Sequence, residues 1–283
     1  MKTTMLFLVA LLAFAGNSII ARYALLDNSI DPASFIWLRI VSGALALWLL
    51  VAIVDRSSSA KALQTRKGNW WGALTLSIYA IAFSFAYVVL ETGFGALVLF
   101  AAVQLSMFGI NLVQGASVRV REWLGSAIAF AGLAYLVAPS LQLPESWLSV
   151  VLMIIAGTAW GFYSIHGRGS ATPLIDTTYN FNRAIVVVTV ALMWFLPDLH
   201  VTSKGVGLAL LSGAVTSGLG YAVWYLVLPR LHVSTAAIGQ LSVPLIATVG
   251  GIIVADETIT SRLLIAALLI IGGILINVLK FRT

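Results

Sequence analysis

Runs of predominantly apolar residues recur ten times along the chain, each about as long as the roughly 20 residues a helix needs to cross a bilayer. They occupy 4–22, 32–54, 70–90, 95–115, 123–140, 148–168, 177–197, 206–228, 234–254 and 262–280. Short connectors rich in Asp, Pro, Gly, Ser and charge separate them, among them DNSIDP, DRSSSAKALQTRKGN and SLQLPES. In lipid, backbone N–H and C=O groups must be satisfied within the segment, so the runs are expected to be helices. No connector is long or polar enough to fold as a separate aqueous domain. The first run follows Lys2 and contains Ala13-x-Ala15, as a cleaved signal would. Its apolar stretch continues through Ser18-Ile19-Ile20, and it is read as a span.

Composition agrees. Only 9% of residues are charged, against about 25% in soluble domains, which excludes a water-soluble fold. The absence of cysteine excludes disulfides, thiolate metal sites and a cysteine nucleophile. The net charge of +6 does not point to nucleic acid. No basic run is interleaved with aromatics, and the charges fall mostly in connectors. They instead orient the chain by the positive-inside rule. With the N-terminus inside, the cytoplasmic face holds Lys2, Arg56, Lys61, Arg66, Lys67, Arg119, Arg121, Arg168, Arg230, Lys280 and Arg282. The outer face keeps Arg22, Lys204 and Arg262. Both termini are therefore expected in the cytoplasm, with lipid as the surrounding partner.

The chain repeats itself. Gln104-Leu105-Ser106 and Gln240-Leu241-Ser242 recur at corresponding places, and Phe85-Ala86 aligns with Tyr221-Ala222 at the same offset. Arg39 and Arg183 each stand early in the second span of a half, after Asp31 and Asp176. The expected fold is an all-α membrane protein of ten transmembrane helices in two five-helix repeats, 1–141 and 142–283. Five is odd, so the second copy enters the membrane inverted. In transporters such repeats place the substrate site near the midplane, between the halves.

Mid-span polar and aromatic groups are the candidates for that site: Asn17, Arg39, Tyr79, Gln104, Trp160, Tyr163, Arg183, Tyr221 and Gln240. A charge at the bilayer centre costs at least about 2.5–3.5 kcal/mol on insertion scales. Arg39 and Arg183 therefore either reach the headgroups or hold a substrate carboxylate. Gln104 and Gln240 either bond a neighbouring helix or line a wet cavity. Pro244, one turn after Gln240, frees a backbone carbonyl and favours a kink or an opened helix. Trp70, Trp71, Trp123, Trp147 and Trp194 fall at span ends, as an aromatic belt would place them. Trp160 sits mid-span, where interface anchoring does not account for it. His166, His200 and His232 lack metal-ligand spacing, and every Asp and Glu lies at a span end or in a connector. No cofactor and no enzymatic constellation are expected. Without a carboxylate at membrane depth the reading is a facilitator or exchanger, unless His166 or a tyrosine relay couples protons.

Taken together, Ala159-Trp160-Gly161, the arginine of the following helix, and Pro244 followed by Glu257 and Gly272-Gly273 resemble the EamA-type permeases of the drug/metabolite transporter superfamily. The resemblance covers essentially the whole chain. The first half departs from the pattern: Ala15-Gly16 lacks the Trp, QGASVRVREW replaces the usual Gly-Glu corner, and its fourth helix has no Pro. The resemblance implies alternating access and export of amino acids, other metabolites or drugs across the bacterial inner membrane. A multidrug-type efflux carrier and a non-transporting membrane scaffold remain the alternative readings.

Overall fold

Helix starts carry the clearest local signals, and side chains cap four of them. Asp31 accepts the N–H of Ser34 at 2.8 Å, Asn69 that of Gly72 at 2.6 Å, Ser146 that of Ser149 at 3.3 Å, and Thr202 that of Gly205 at 3.1 Å. Each oxygen satisfies one of the donors a helix leaves open in its first turn. Pro32 and Pro173 stand at first helical positions, where the missing N–H costs nothing.

The computed structural model describes residues 2–54, 68–90, 92–115, 119–137, 146–255 and 261–278. The basic residues Arg56, Lys61, Arg66, Lys67, Lys280 and Arg282, and the acid Glu257, lie outside the described residues. In chain order the helices are α1 (Lys2–Leu26), α2 (Pro32–Val54), α3 (Trp70–Tyr87), α4 (Thr92–Val113), α5 (Val120–Val137), α6 (Trp147–Arg168) and α7 (Pro173–Leu192). They are followed by α8 (Ser203–Arg230), α9 (Val233–Gln240), α10 (Ser242–Ala255) and α11 (Ser261–Val278). Among the described residues there is no strand, only an isolated antiparallel bridge between Ile30 and Val201. Six helices, α1 to α4, α6 and α8, are long and apolar enough to cross a membrane. The other four apolar runs of the sequence are helical where they are described, apart from a turn at Leu241.

Two helices depart from regular geometry. α8 is π-helical over Ser212–Leu219, a widened turn of the kind often found at functional sites. The run predicted at 234–254 breaks at Leu241 into α9 and α10. Pro244 has no N–H to offer the carbonyl of Gln240, and Leu241 closes a tighter turn on Ile238 at 3.0 Å. That is the interruption expected from the proline.

Helices approach most closely where glycines remove side chains. Gly157 of α6 faces the carbonyl of Leu99 on α4, and Gly273 of α11 faces that of Gly125 on α5. Gly213 in the π segment faces the carbonyl of Arg39 on α2. Small residues at such contacts let backbones pack directly in lipid. The principal pairings are α5 with α11, α3 and α4 with α6, α2 with α7 and with the π segment, α3 with α7, and α1 with α8 and α10. Trp70, Trp71, Trp123, Trp147 and Trp194 are all exposed and sit at or near helix ends.

Candidate functional site

Arg39 is the eighth residue of α2, about 10 Å below its first residue at 1.5 Å per residue. Its side chain turns inward and is only 1% exposed. Nε donates to Ser217 Oγ at 3.0 Å, and Nη2 donates to the hydroxyls of Tyr79 and Tyr221, each at 3.2 Å. The guanidinium carbon lies 5.3 Å from the Tyr79 ring centre and 5.1 Å from that of Phe83. Nη1 is buried and has no hydrogen-bond partner among the described residues.

Asn17 extends this network across α1, α3 and α8. Its Nδ2 donates to the Tyr79 hydroxyl at 3.2 Å, and its Oδ1 accepts from Ser212 at 2.8 Å and Thr216 at 3.3 Å. Ser212, Thr216 and Ser217 all belong to the π segment. The widened turn therefore presents three hydroxyls to Asn17 and Arg39.

An aromatic wall adjoins the network. Trp160 touches Tyr221 (ring centres 4.6 Å apart), Tyr79 (5.2 Å), Phe14 (5.3 Å) and Tyr163 (5.7 Å). Its indole Nε1 donates to Gln240 Oε1 at 2.9 Å, and Gln240 Nε2 donates to the Ala236 carbonyl at 3.3 Å. Gln240 is fully buried. A buried amide that keeps both ends bonded avoids the desolvation cost of an unpaired group. In membrane proteins such bonds contribute about 0.6 kcal/mol on average and about 1.7 kcal/mol at most. A double-mutant cycle of Trp160→Phe and Gln240→Leu is therefore expected to show coupling near the upper figure in reversible unfolding. Additive single costs would mean that the bond does not form.

The structure brings Asn17, Arg39, Tyr79, Trp160, Tyr163, Tyr221 and Gln240 into one connected set. Gln104 and Arg183 are placed differently. Gln104 is buried on α4, with its Oε1 unpartnered among the described residues. Arg183, in the middle of α7, is partly buried, and its guanidinium reaches the start of α3, 5.5 Å from the Trp70 ring centre and beside Gly68. The serines of the repeated triplets do the same local work: Ser106 donates to Val103 O at 2.9 Å and Ser242 to Gly239 O at 2.7 Å.

Sequence reasoning did not single out Phe14, Phe83, Ser212, Thr216 or Ser217. The hydroxyls lie in the glycine-rich stretch LLSGAVTSGLGYA, where the one available signal was polarity in mid-span.

The cluster is closed around its own side chains. The space between Phe14, Ser18, Tyr79, Leu99, Phe100 and Trp160 measures about 10 Å³, at the lower limit for one water molecule. A roomier polar pocket of about 250 Å³ opens beside it, lined by Asn69, Tyr163, His166, Asp176, Asn180 and Tyr225, among others. Tyr163 and Tyr225 belong both to this pocket and to the aromatic cluster, their rings 5.5 Å apart. His166 pairs with Asn69, and Asp176 accepts from Ser170 and from the N–H of Gly68.

The profile of the EamA-like transporter family matches residues 147–279. Uncharacterized protein PA1977 of Pseudomonas aeruginosa is 42% identical over 273 residues, covering 96% of this chain and 93% of its own length. The uncharacterized transporter YoaV of Bacillus subtilis is 22% identical over 271 residues, covering 90% and 89%. A protein of Salmonella typhimurium described as "Probable amino-acid metabolite efflux pump" is 27% identical over 225 residues, covering 74% and 75%. One solved crystal structure shares the fold with a TM-score of 0.79 at 16% identity, covering 98% of this chain and 97% of that one.

Proposed function

Because the chain belongs to the EamA-like transporter family, a multi-pass membrane family of the drug/metabolite transporter superfamily, we propose that it moves a small metabolite, an amino acid or a similar compound, by alternating access. The membrane is the bacterial inner membrane, both termini face the cytoplasm, and the protein works as an exporter or facilitator. The observation that carries this reading is a mid-span polar cluster built from both halves of the chain. α1, α2 and α3 supply Asn17, Arg39 and Tyr79, while α6, α8 and α9 supply Trp160, Tyr221 and Gln240. Groups that are costly in lipid are gathered where two five-helix units would rock against each other.

The helix pairings support ten spans in an inverted repeat. With the broken α9–α10 counted as one span, exchanging the halves maps α3–α6 onto α8–α1 and α4–α6 onto α10–α1. It also maps α2–π onto α7–α3, and it maps α2–α7 and α5–α11 onto themselves. The connections match as well. Asp31 accepts the N–H of His200 at 2.9 Å just before α8, and Asp176 accepts that of Gly68 at 3.2 Å just before α3. Among the described residues no acid is buried at mid-span; Asp31, at a helix start, is the one buried acid. That supports transport driven by the solute's own gradient.

Two measurements test the proposal. The chain has no cysteine, so single introduced cysteines report sidedness. Cysteine at exposed His200 is expected to label from outside intact cells, and cysteine at exposed Ala171 only after permeabilisation. In proteoliposomes, a carrier shows uptake stimulated by its own solute loaded inside. Labelling of both sites from one face would refute the inverted architecture. No exchange of any amino acid, nucleoside or polyamine would remove the transport reading as stated.

A further inference from the structure

We infer that Arg39 anchors the carboxylate of the transported solute once the closed cluster opens, the solute's remaining body then lying against the rings of Phe14, Trp160 and Tyr221, which in this structure pack against one another. The inference deepens the transporter reading and rests on it. A guanidinium is always charged, and this one is buried two turns into α2 with only neutral hydroxyls as hydrogen-bond partners. Among the described residues the only ion pair joins Lys204 to Asp27, at the helix ends. Asp31, one helix position before α2, has both oxygens engaged, Oδ1 by the N–H of Ser34 and Oδ2 by that of His200.

A buried donor without a partner is not peculiar to Arg39, since Arg121 Nε, Arg168 Nε and Arg262 Nη1 are alike among the described residues. What the rest of the guanidinium bonds to sets Arg39 apart from two arginines nearer helix ends. Arg22 donates to the carbonyls of Tyr87 and Val88, and Arg168 donates to that of Leu231. They cap backbone carbonyls that helix ends leave open. Arg39 caps none: Ser217 holds its Nε edge, while Nη1 is left without a partner and Nη2 makes two long bonds to phenols. A carboxylate can accept two parallel N–H bonds from a guanidinium fork. The Nη1–Nη2 edge offers that pair, one donor open and the other weakly held. The carboxylate then neutralises the guanidinium, so binding removes the uncompensated buried charge of Arg39. Its hydrogen-bond partners are all neutral, so the site offers one positive charge, which matches the single charge of a carboxylate and not that of a phosphate dianion.

The test uses the full-length protein in nanodiscs, with thermal unfolding followed by intrinsic fluorescence at matched ionic strength. The probes are 3-phenylpropanoate and 3-phenylpropanamide, phenylalanine and phenylalaninamide, and inorganic phosphate. Each acid is expected to bind at least tenfold more tightly than its amide, with phosphate giving no shift. Arg39→Gln is expected to erase the acid–amide difference, and Arg39→Lys, which keeps the charge but loses the fork, to retain only part of it. Equal binding of acid and amide, no stabilisation by either acid, an equal shift from phosphate, or an undiminished preference in Arg39→Gln would each overturn the assignment. Counterflow separates the two readings. Exchange that ignores Arg39→Gln leaves transport standing without the carboxylate anchor, whereas an acid–amide preference without exchange of any solute sinks transport alone.

Discussion

Gly213→Leu is expected to abolish folded protein, measured as the loss of the monodisperse peak in size exclusion and of a cooperative thermal transition. Gly213 lies in the π segment of α8, directly against α2. A β-carbon there would run into Ser42 Oγ and into the carbonyl oxygen and Cα of Arg39. Those atoms are mostly backbone and cannot swing aside as the tip of a long side chain could. On the facing helix Gly43 is equally confined, with Phe181 and the Gly213 carbonyl within 3.0 Å of where its β-carbon would stand. Overpacking a well-filled core typically costs about 1–3 kcal/mol, and more where backbone must move. Here the movement would also pull Ser217 away from Arg39 and Ser212 away from Asn17. Gly109→Leu and Gly272→Leu serve as controls, since nothing lies within 4 Å of either position. Both lie inside helices, where Leu is the better helix former, and are expected to unfold at or somewhat above the wild-type temperature. A Gly213→Leu protein as stable as those controls would show that the α2–α8 contact is looser than described.

The second large effect is expected from Trp160→Ala. The indole touches four rings and supplies the donor that satisfies Gln240 Oε1. Removing a large buried aromatic side chain costs about 3–5 kcal/mol, part of it the cavity left behind. The variant also leaves an amide oxygen unpaired in a fully buried side chain, which adds to the loss. Unfolding free energy in bicelles is the appropriate readout, with Trp160→Phe as the milder comparison that keeps most of the ring packing. A cost below about 1 kcal/mol for Trp160→Ala would mean that the cluster collapses freely to fill the gap. The aromatic wall would then be adaptable packing, and its role as the boundary of a defined site would be lost.

These two expectations draw on different parts of what could be read in advance. Apolar run length marked the helices, because a backbone in lipid has no other way to bond itself. The side-chain caps at Asp31, Asn69, Ser146 and Thr202 act within three residues and so were local enough to read, but sequence reasoning did not single them out. Pro244 marked the break after Gln240 for an equally local reason: a missing N–H has one position at which to be missed. Trp160 stood out because a mid-span indole lacks the interfacial explanation that the exposed tryptophans share.

Pairing residues by the repeat was less informative about their surroundings. Arg39 and Arg183 hold corresponding places in sequence. One lies in the core among Tyr79, Tyr221 and Ser217, and the other stacks over Trp70 near a helix start. Gln104 and Gln240 diverge likewise, one with an unpartnered oxygen and the other bonded to Trp160. Neighbouring Leu105 is 70% exposed, while its counterpart Leu241 is fully buried.

Sequence alone thus determined the helical class, the approximate positions of the apolar helices and the proline break, since each follows from interactions spanning a few residues or from the solvent the chain must meet. Tertiary structure alone decided which polar groups share a site, which arginine is buried among neutral hydroxyls, and where α8 widens into a π-helix. Those outcomes depend on helices more than a hundred positions apart in sequence, as with Arg39 and Tyr221. No local pattern records which face of one helix a distant helix will cover.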